Sequence, residues 1–322
     1  MVATFLDPKN DVAFKKIFGT EKNKDILIRF LNDVITFKER SPILDVTFIK
    51  TTQDPETAAQ KTSIVDILCT DEKGHQYIVE MQVAKTKGFE KRAQLYASKA
   101  YGSQAHVGDQ YHDLKEIIFL AIVDYDIFPQ KTRCKSDHII LDKETFEHDL
   151  KDFSFTFISL PKFNKTFEEL DTLEERWCYF LKYAETTSPE DLEKIIAMGG
   201  ILKKAYHELD KFYWTAQELN DYDKAEKARK DYLASLAQKL DEGMAIGEAR
   251  GMAIGEARGV AIGKEEGIAI GEAKGRSEEK AKAELEKTLM TKEMARSLYK
   301  QGVPVSLIAN ITKLSIEEIE ST

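Results

Sequence analysis

The chain has 322 residues, 42% of them hydrophobic, so it is long enough to bury one large core or two smaller ones. Its formal net charge of −9 argues against binding to nucleic acid through bulk charge, because phosphate contacts would then have to be local. Three cysteines without close spacing and six scattered histidines argue against a zinc site or a disulfide framework, and favour a reduced, cytoplasmic setting. We expect no secretory leader and no membrane span, because the longest apolar run, Ile117–Val123, is too short.

The amino-terminal part predicts two helices and a strand. Asp7-Pro8 suits a helix start in which Asp is the N-cap, and Gly19 suits a left-handed stop. Ile26–Ile35 has the apolar spacing of an amphipathic helix. Ile43–Lys50 alternates as a strand, and the polar segment Thr51–Lys61 predicts a loop.

Ser63–Val83 predicts a hairpin whose two apolar strands each carry an acid. Alternation places Glu80 and Gln82 on one face of the second strand. A three-residue loop, Glu72–Gly74, would set Asp66 directly opposite Glu80, with cross-strand neighbours only about 5 Å apart. A four-residue loop would instead put the two acids on opposite faces.

Two carboxylates this close on a half-buried sheet repel each other unless a cation lies between them. Mg²⁺ typically binds one or two carboxylates, several waters and a substrate phosphate, so the pair suits such an ion. Alternatively, both acids lie on the wet face of an exposed hairpin. Ile64, Leu68 and Ile78, expected on the same face, argue against that alternative because buried acids need a partner.

A helix and three strands are predicted next, at Phe89–Gln104, Glu116–Val123, Asp137–Leu141 and Phe153–Leu160. Arg92, Tyr96 and Lys99 share one side of that helix, and the nearly continuous apolar run of the first strand indicates a central, buried position. Helices before and after a mixed sheet predict the α/β fold class.

The remainder predicts a helical C-terminal extension in three parts. Residues 166–242 have helix-period apolar spacing, with a helix start near Ser188-Pro189-Glu190. Residues 243–280 contain a glycine at every fourth position from Gly243 to Gly275, and each costs a helix about 1 kcal/mol relative to alanine. Packing would have to compensate, so this repeat is either a self-association segment that forms a homo-oligomer, an adjustable spacer, or a tolerated repeat expansion.

An end module is predicted over residues 288–322. Thr291–Ser321 gives three short helices, broken at Gly302-Val303-Pro304 and Leu314-Ser315. The pattern is that of a helix-turn-helix unit or of a small packing cap. A miniature core is expected from Ala295, Leu298, Ile308, Ile311, Leu314 and Ile319.

The spacing Asp66…Glu80-Met81-Gln82 resembles the metal site of the PD-(D/E)XK nuclease superfamily. More narrowly, the chain resembles the PD-(D/E)XK nuclease-family transposases, also called recombination-promoting nucleases. Four stretches carry the resemblance in the family's order, Leu6–Gly19, Ile64–Gly74, Val79–Gln104 and Leu160–Phe163. It covers roughly residues 5–165 and implies a restriction-endonuclease-like core over residues 1–165.

The resemblance implies a Mg²⁺- or Mn²⁺-dependent DNA endonuclease linked to recombination or mobile elements, in which Asp66, Glu80 and Gln82 are catalytic. Asp66, Glu80 and the backbone carbonyl of Met81 would hold the metal. Asp11 is a further candidate ligand, and a surface ion pair between Asp11 and Lys15 is its alternative. The superfamily usually has lysine where Gln82 stands, whereas the transposase-like branch also has glutamine, which can orient water but carries no charge.

The implied phosphate contacts come from the basic cluster Lys85, Lys87, Lys91 and Arg92, which is otherwise a solvated loop and helix start. Lys15, Tyr96 and Gln104 are supporting candidates. Two other functions compete with the nuclease: an inactive nuclease-like protein that binds or assembles through its C-terminal region, and a regulator that recognises DNA through the end module.

Overall fold

A computed structural model describes residues 5–36, 41–53, 63–105, 110–197 and 200–321. They form two compact units, Met1–Ser235 and Leu236–Thr322. The helices are α1 Asp11–Phe18, α2 Lys24–Val34, α3 Phe89–Gly102, α4 Leu173–Tyr183, α5 Pro189–Ala197, α6 Ile201–Leu209, α7 Ala216–Lys300, α8 Val305–Thr312 and α9 Ile316–Glu320. The strands are β1 Val46–Phe48, β2 Thr52–Gln53, β3 Ser63–Ile64, β4 Ile67–Asp71, β5 Gln76–Gln82, β6 Ile117–Val123, β7 Lys135–Ile139 and β8 Phe153–Ser159.

The first unit is built on a mixed six-stranded sheet in the order β1-β4-β5-β6-β8-β7. β4 and β5 form the predicted antiparallel hairpin, while β5, β6 and β8 run parallel to one another. β6 is buried along its whole length, as its apolar run predicted. The predicted α/β class, with a mixed sheet flanked by helices, is confirmed.

The two faces of this sheet bury separate apolar clusters. One face packs Ile67, Val79 and Met81 against α1, α2, α4 and α6, and includes Trp177. The other face packs Leu68 and Ile78 against α3. Helices that follow residue 165 therefore share a core with α1 and α2, while the predicted boundaries at residues 165, 242 and 280 stay predictions.

Three local predictions at the amino terminus were wrong or incomplete. The N-cap of α1 is Asn10, whose side chain accepts from the N–H of Val12, because Asp7 is buried and caps the N–H of Lys9 instead. Gly19 has a φ of −111°, so it is not a left-handed stop. A Cβ there would lie 2.9 Å from the Lys15 carbonyl oxygen, so glycine serves a close approach. Within the predicted loop Thr51–Lys61, Thr52–Gln53 is a short strand paired with Ser63–Ile64, and residues 54–61 lie outside the described residues.

In the second unit the glycine repeat is helical, and its side chains are exposed from residue 241 to residue 290. The end module has the predicted breaks, although its first helix is the end of α7 rather than a separate short helix. Ala295, Ile308 and Ile319 form its buried core with Leu298 and Leu314 packed against them. The expectation that Ile311 joins this core was wrong, because its side chain is 57% exposed.

Candidate metal-binding active site

The register of the β4–β5 hairpin decides where the two acids lie. Asp71 and His75 close the hairpin, since the N–H of Asp71 donates to the carbonyl of His75 at 3.0 Å. The loop between them has three residues, and its last, Gly74, takes a φ of +88°. Ile67 pairs with Val79. The pairing ends there, and Asp66 lies one residue beyond it, at a bend where its N–H reaches the Glu80 carboxylate, so the three-residue alternative is the one found.

Asp66 lies at a bend just before β4, where backbone N–H groups link it to Glu80 and Met81 of β5. The N–H of Asp66 donates to the Glu80 carboxylate at 3.3 Å, and the N–H of Met81 donates to the Asp66 carboxylate at 2.9 Å. The N–H and C=O of one strand residue point toward the same neighbouring strand. The carbonyl oxygen of Met81 therefore points toward the side on which Asp66 lies.

Burial raises the pKa of both carboxyl groups. Glu80 is 3% exposed, and burial together with the charge of Asp66 raises its pKa to about 8. Burial also raises the pKa of Asp66, against the opposing effects of the Met81 N–H and of Lys15. The alternative of two acids on a wet face is therefore wrong. Ile64 does not contribute to this burial, as it is 63% exposed, and Val65 packs beside Leu68 because the chain bends at Asp66.

Gln82 and Arg92 form a second layer around Glu80. The amide nitrogen of Gln82 donates to Glu80 at 2.9 Å, and Arg92 donates to the amide oxygen of Gln82 at 2.6 Å. The Arg92 guanidinium lies 4.9 Å from the centre of the Phe89 ring and 6.0 Å from that of Tyr96. Burial raises the pKa of the Tyr96 hydroxyl, and the charges of Glu80 and Asp66 add to that rise.

α1 contributes Lys15 and Asp11 from the face of the sheet opposite to the face on which α3 packs. The Lys15 ammonium lies 2.8 Å from Asp11 and 3.8 Å from Asp66. Burial by itself would lower the pKa of Lys15, but its hydrogen bond to Asp11 and the nearby charges of Asp66 and Glu80 raise it. The Asp11–Lys15 ion pair is thus present, and Lys15 also reaches one of the proposed metal ligands.

The residues present fit a hard divalent cation. Within the described part of the chain, no three His, Cys, Asp or Glu side chains form a metal-binding cluster, so Asp11 does not complete a trio with Asp66 and Glu80. Two carboxylates and the Met81 carbonyl are an oxygen-only set of the kind that Mg²⁺ takes beside waters and a phosphate. Burial raises the pKa of both acids, and the charge of Asp66 adds to the rise for Glu80, so positive charge next to them would favour their ionised forms.

The remaining predicted residues divide into two groups. Lys85, Lys87 and Lys91 are exposed on the loop after β5 and at the start of α3, where phosphate binding stays a prediction. Gln104 is not brought to the site. Its side chain donates to and accepts from the backbone of Lys115 at 3.0 Å and 2.8 Å, which fastens α3 at the opposite end of β5 and β6.

Tyr125 was missed at the level of sequence. Asp124 donates its N–H to the Gln82 carbonyl at 2.9 Å, so Tyr125 follows β6 at the same sheet end as Gln82. The hydroxyl of Tyr125 is buried without a hydrogen-bonding partner among the described residues, as is the Nε of Arg92. Burial raises the pKa of Tyr125 to about 12. The signal available was the polar run Asp124-Tyr125-Asp126 directly after a buried parallel strand, where α/β sheets commonly bind ligands.

Comparison with known proteins shows which family has this sequence. The family model described as PD-(D/E)XK nuclease family transposase matches residues 8–239, well over half of the chain. Neither the curated proteins nor the solved structures gave a match to the chain. No helix in the described ranges combines the length and apolar character needed to cross a bilayer. The family match indicates a nuclease or mobile-element role, with DNA as the substrate that a nuclease implies. The chain belongs to the PD-(D/E)XK nuclease family transposases.

Proposed function

We propose that the chain is a Mg²⁺-dependent DNA endonuclease that hydrolyses phosphodiester bonds, acting in recombination or mobile-element biology. The observation that carries the proposal is that two largely buried acids, Asp66 and Glu80, lie within hydrogen-bonding reach of the same short backbone stretch: Glu80 accepts from the N–H of Asp66, and Asp66 accepts from the N–H of Met81. Two buried acids in this arrangement are unfavourable as a structural pair, and they are suited to holding a divalent cation against a phosphate.

In this proposal Asp66, Glu80 and the Met81 carbonyl hold the cation, and Mn²⁺ can replace Mg²⁺ in vitro. The bound ion would neutralise charge on the phosphate and promote ionisation of the attacking water. Gln82, whose amide is oriented by Arg92, positions the water or the phosphate without exchanging a proton itself. Arg92 carries a permanent positive charge within this layer, and Lys85, Lys87 and Lys91 contact flanking phosphates.

Cleavage of a supercoiled plasmid tests the proposal. The wild-type chain is incubated with Mg²⁺, with Mn²⁺ or with EDTA, beside Asp66→Asn and Glu80→Gln. Glu90→Gln is the matched control, because Glu90 is an exposed acid at the start of α3. We expect cutting by the wild type and by Glu90→Gln only with a divalent cation, and its loss in both site variants. Equal cutting by wild type and Asp66→Asn, or none by any protein, would contradict the catalytic assignment.

A second role is proposed for the helical repeat. Its apolar side chains, among them Met244, Ile246, Met252 and Ile254, are more than half exposed in the single chain. Burying such side chains in a homo-oligomer would remove apolar surface from water. Light scattering of the full chain, compared with a chain lacking residues 243–275, tests this role, and identical monomeric masses would contradict it.

A further inference from the structure

Two basic side chains lower the pKa of Asp66 against the effect of burial. They are Lys15 from α1 and Arg92 from α3. They approach from the two faces of the sheet, because α1 packs with Ile67 and Val79 whereas α3 packs with Leu68 and Ile78. Gln82 is neutral, and both Lys15 and Arg92 place positive charge near Asp66. Their surroundings differ in a way that separates their roles.

Arg92 is held in place. One of its terminal nitrogens donates to Gln82 at 2.6 Å, and its guanidinium lies over the Phe89 ring. A planar guanidinium that is stacked and hydrogen-bonded in this way is preorganised. Moving it to meet a phosphate would release Gln82, and Gln82 would then lose its orientation toward Glu80.

The backbone of Lys15 is held by a buried helix, whereas its ammonium group is partly exposed and makes only ion pairs with Asp11 and Asp66 among the described residues. Phe14, Ile17 and Phe18 of the same helix are fully buried, so the backbone of α1 cannot shift easily. The Lys15 side chain is 43% exposed, and its nearer partner, Asp11, is 58% exposed. Exposed ion pairs of this kind contribute only about 0–1 kcal/mol, so the ammonium can exchange partners at little cost.

The Lys15 nitrogen lies 3.8 Å from Asp66, so this ammonium is next to a carboxylate that would hold the cation in the proposed function. We propose that Lys15 binds a non-bridging oxygen of the scissile phosphodiester, exchanging its contact with Asp66 for the phosphate while Asp11 keeps it in reach. This assignment rests on the proposed nuclease function, and it makes Lys15 a substrate-binding residue rather than half of a surface ion pair.

Binding of a fluorescent DNA duplex, measured by anisotropy across a range of salt concentrations, tests the assignment. Ca²⁺ replaces Mg²⁺ as the probe cation, since it is also bound by oxygen ligands, and EDTA gives the metal-free series. The variants are Lys15→Met, Lys15→Arg and Asp11→Asn. Lys24→Met is the matched control, because Lys24 is also a partly exposed lysine paired with an acid, Asp45.

Loss of one phosphate contact lowers the slope of log affinity against log salt by roughly 0.9. We expect that reduction, and weaker binding, for Lys15→Met. Lys15→Arg should keep the slope, and so should Asp11→Asn, because Asp11 does not touch the phosphate. A purely structural ion pair predicts instead that Lys15→Met and Asp11→Asn behave alike. Thermal melts of each variant establish that the fold is intact.

The results separate the two proposals. A slope for Lys15→Met equal to that of the wild type overturns the role of Lys15, even where Asp66→Asn abolishes plasmid cutting. Equal loss of slope in Lys15→Met and Asp11→Asn also overturns it. Failure of the wild type to bind DNA under any of these conditions overturns both this assignment and the proposed function. Persistence of cutting in Asp66→Asn, together with the expected slopes, removes only the catalytic assignment.

Discussion

Arg92 donates a hydrogen bond of 2.6 Å to the side-chain oxygen of Gln82. This bond fixes the orientation of the Gln82 amide. Its oxygen faces the Arg92 guanidinium, so its nitrogen faces Glu80, to which it donates at 2.9 Å. The neutral Gln82 side chain thereby links the positively charged Arg92 to the buried Glu80 through two hydrogen bonds. The pair consequently combines orientation and charge, which a single lysine would otherwise supply.

Removal of Arg92 should therefore impair cleavage without unfolding the protein. We expect Arg92→Met to lower kcat/KM by roughly 10- to 100-fold. In other metalloenzymes, mutating residues that orient the metal ligands has an effect of this size. Arg92→Lys should recover only part of the loss, since lysine cannot stack and donate in the same plane. Steady-state cleavage kinetics measure the effect, with the exposed Arg133→Met as control. Equal kinetics in Arg92→Met and wild type would contradict the orienting role.

Cation binding should release a proton below about pH 8. The pKa of Glu80 is raised to about 8 without metal, so Glu80 holds a proton at neutral pH and must lose it to bind a cation. The apparent Mg²⁺ affinity should therefore rise by up to about 10-fold per pH unit and level off above pH 8. Titration calorimetry in two buffers of different ionisation enthalpy counts the released protons. Glu80→Gln should release fewer protons than the wild type, and a pH-independent wild-type affinity would contradict the expectation.

The metal-free protein should lose stability as the pH rises toward 8. Below pH 4.5, the ordinary pKa of Glu, Glu80 is protonated in both the folded and the unfolded chain. Between pH 4.5 and about 8 the unfolded chain releases this proton while the folded chain retains it, so the free energy of unfolding falls. Above that range the loss is constant, on the order of a few kcal/mol.

Comparison with Glu80→Gln isolates this effect, because the variant does not titrate. We expect its melting temperature relative to the wild type to rise by roughly 5 °C or more between pH 5 and pH 8. Any pH-independent penalty from changed hydrogen bonding cancels in this comparison. Adding Mg²⁺ should restore the wild type at pH 8 through binding to the folded state. A constant difference across the pH range would show that Glu80 ionises normally.

The glycines of the repeat should weaken the isolated helix. A Cβ added at Gly251, Gly255 or Gly259 would meet nothing within 4 Å among the described residues, so alanine fits each position. We expect the triple alanine variant to gain up to about 1 kcal/mol of helix stability per position, visible as greater helicity in far-ultraviolet circular dichroism melts. Light scattering on the same samples shows whether close helix contacts at these glycines support association. Unchanged or lower helicity in the variant would contradict the expectation.

The hairpin and the buried strand of the sheet could be predicted from the sequence, whereas the ends of the helices were predicted less well. Glu72–Gly74 can close a three-residue loop, and a closed hairpin sets the register of the pairs that follow, so the pairing up to Ile67–Val79 could be predicted, whereas the bend at Asp66 could not. The start of α1 could not, because Asp7 is held by a hydrogen bond from its own N–H to Tyr222, which lies 215 positions away. Local cap preferences do not include a contact of that range.

Residue pattern alone determined the buried central strand, the acids on its neighbouring hairpin and the helical character of the C-terminal region, since these follow from periodicities that the chain carries locally. Tertiary structure decided which other residues meet those acids. It turned Gln82 toward Glu80 through Arg92, carried Lys15 to Asp66 from another helix, and placed Gln104 at the far end of the sheet. Such meetings depend on how helices pack on the two faces of the sheet, and that packing is set by the whole core rather than by neighbours in sequence.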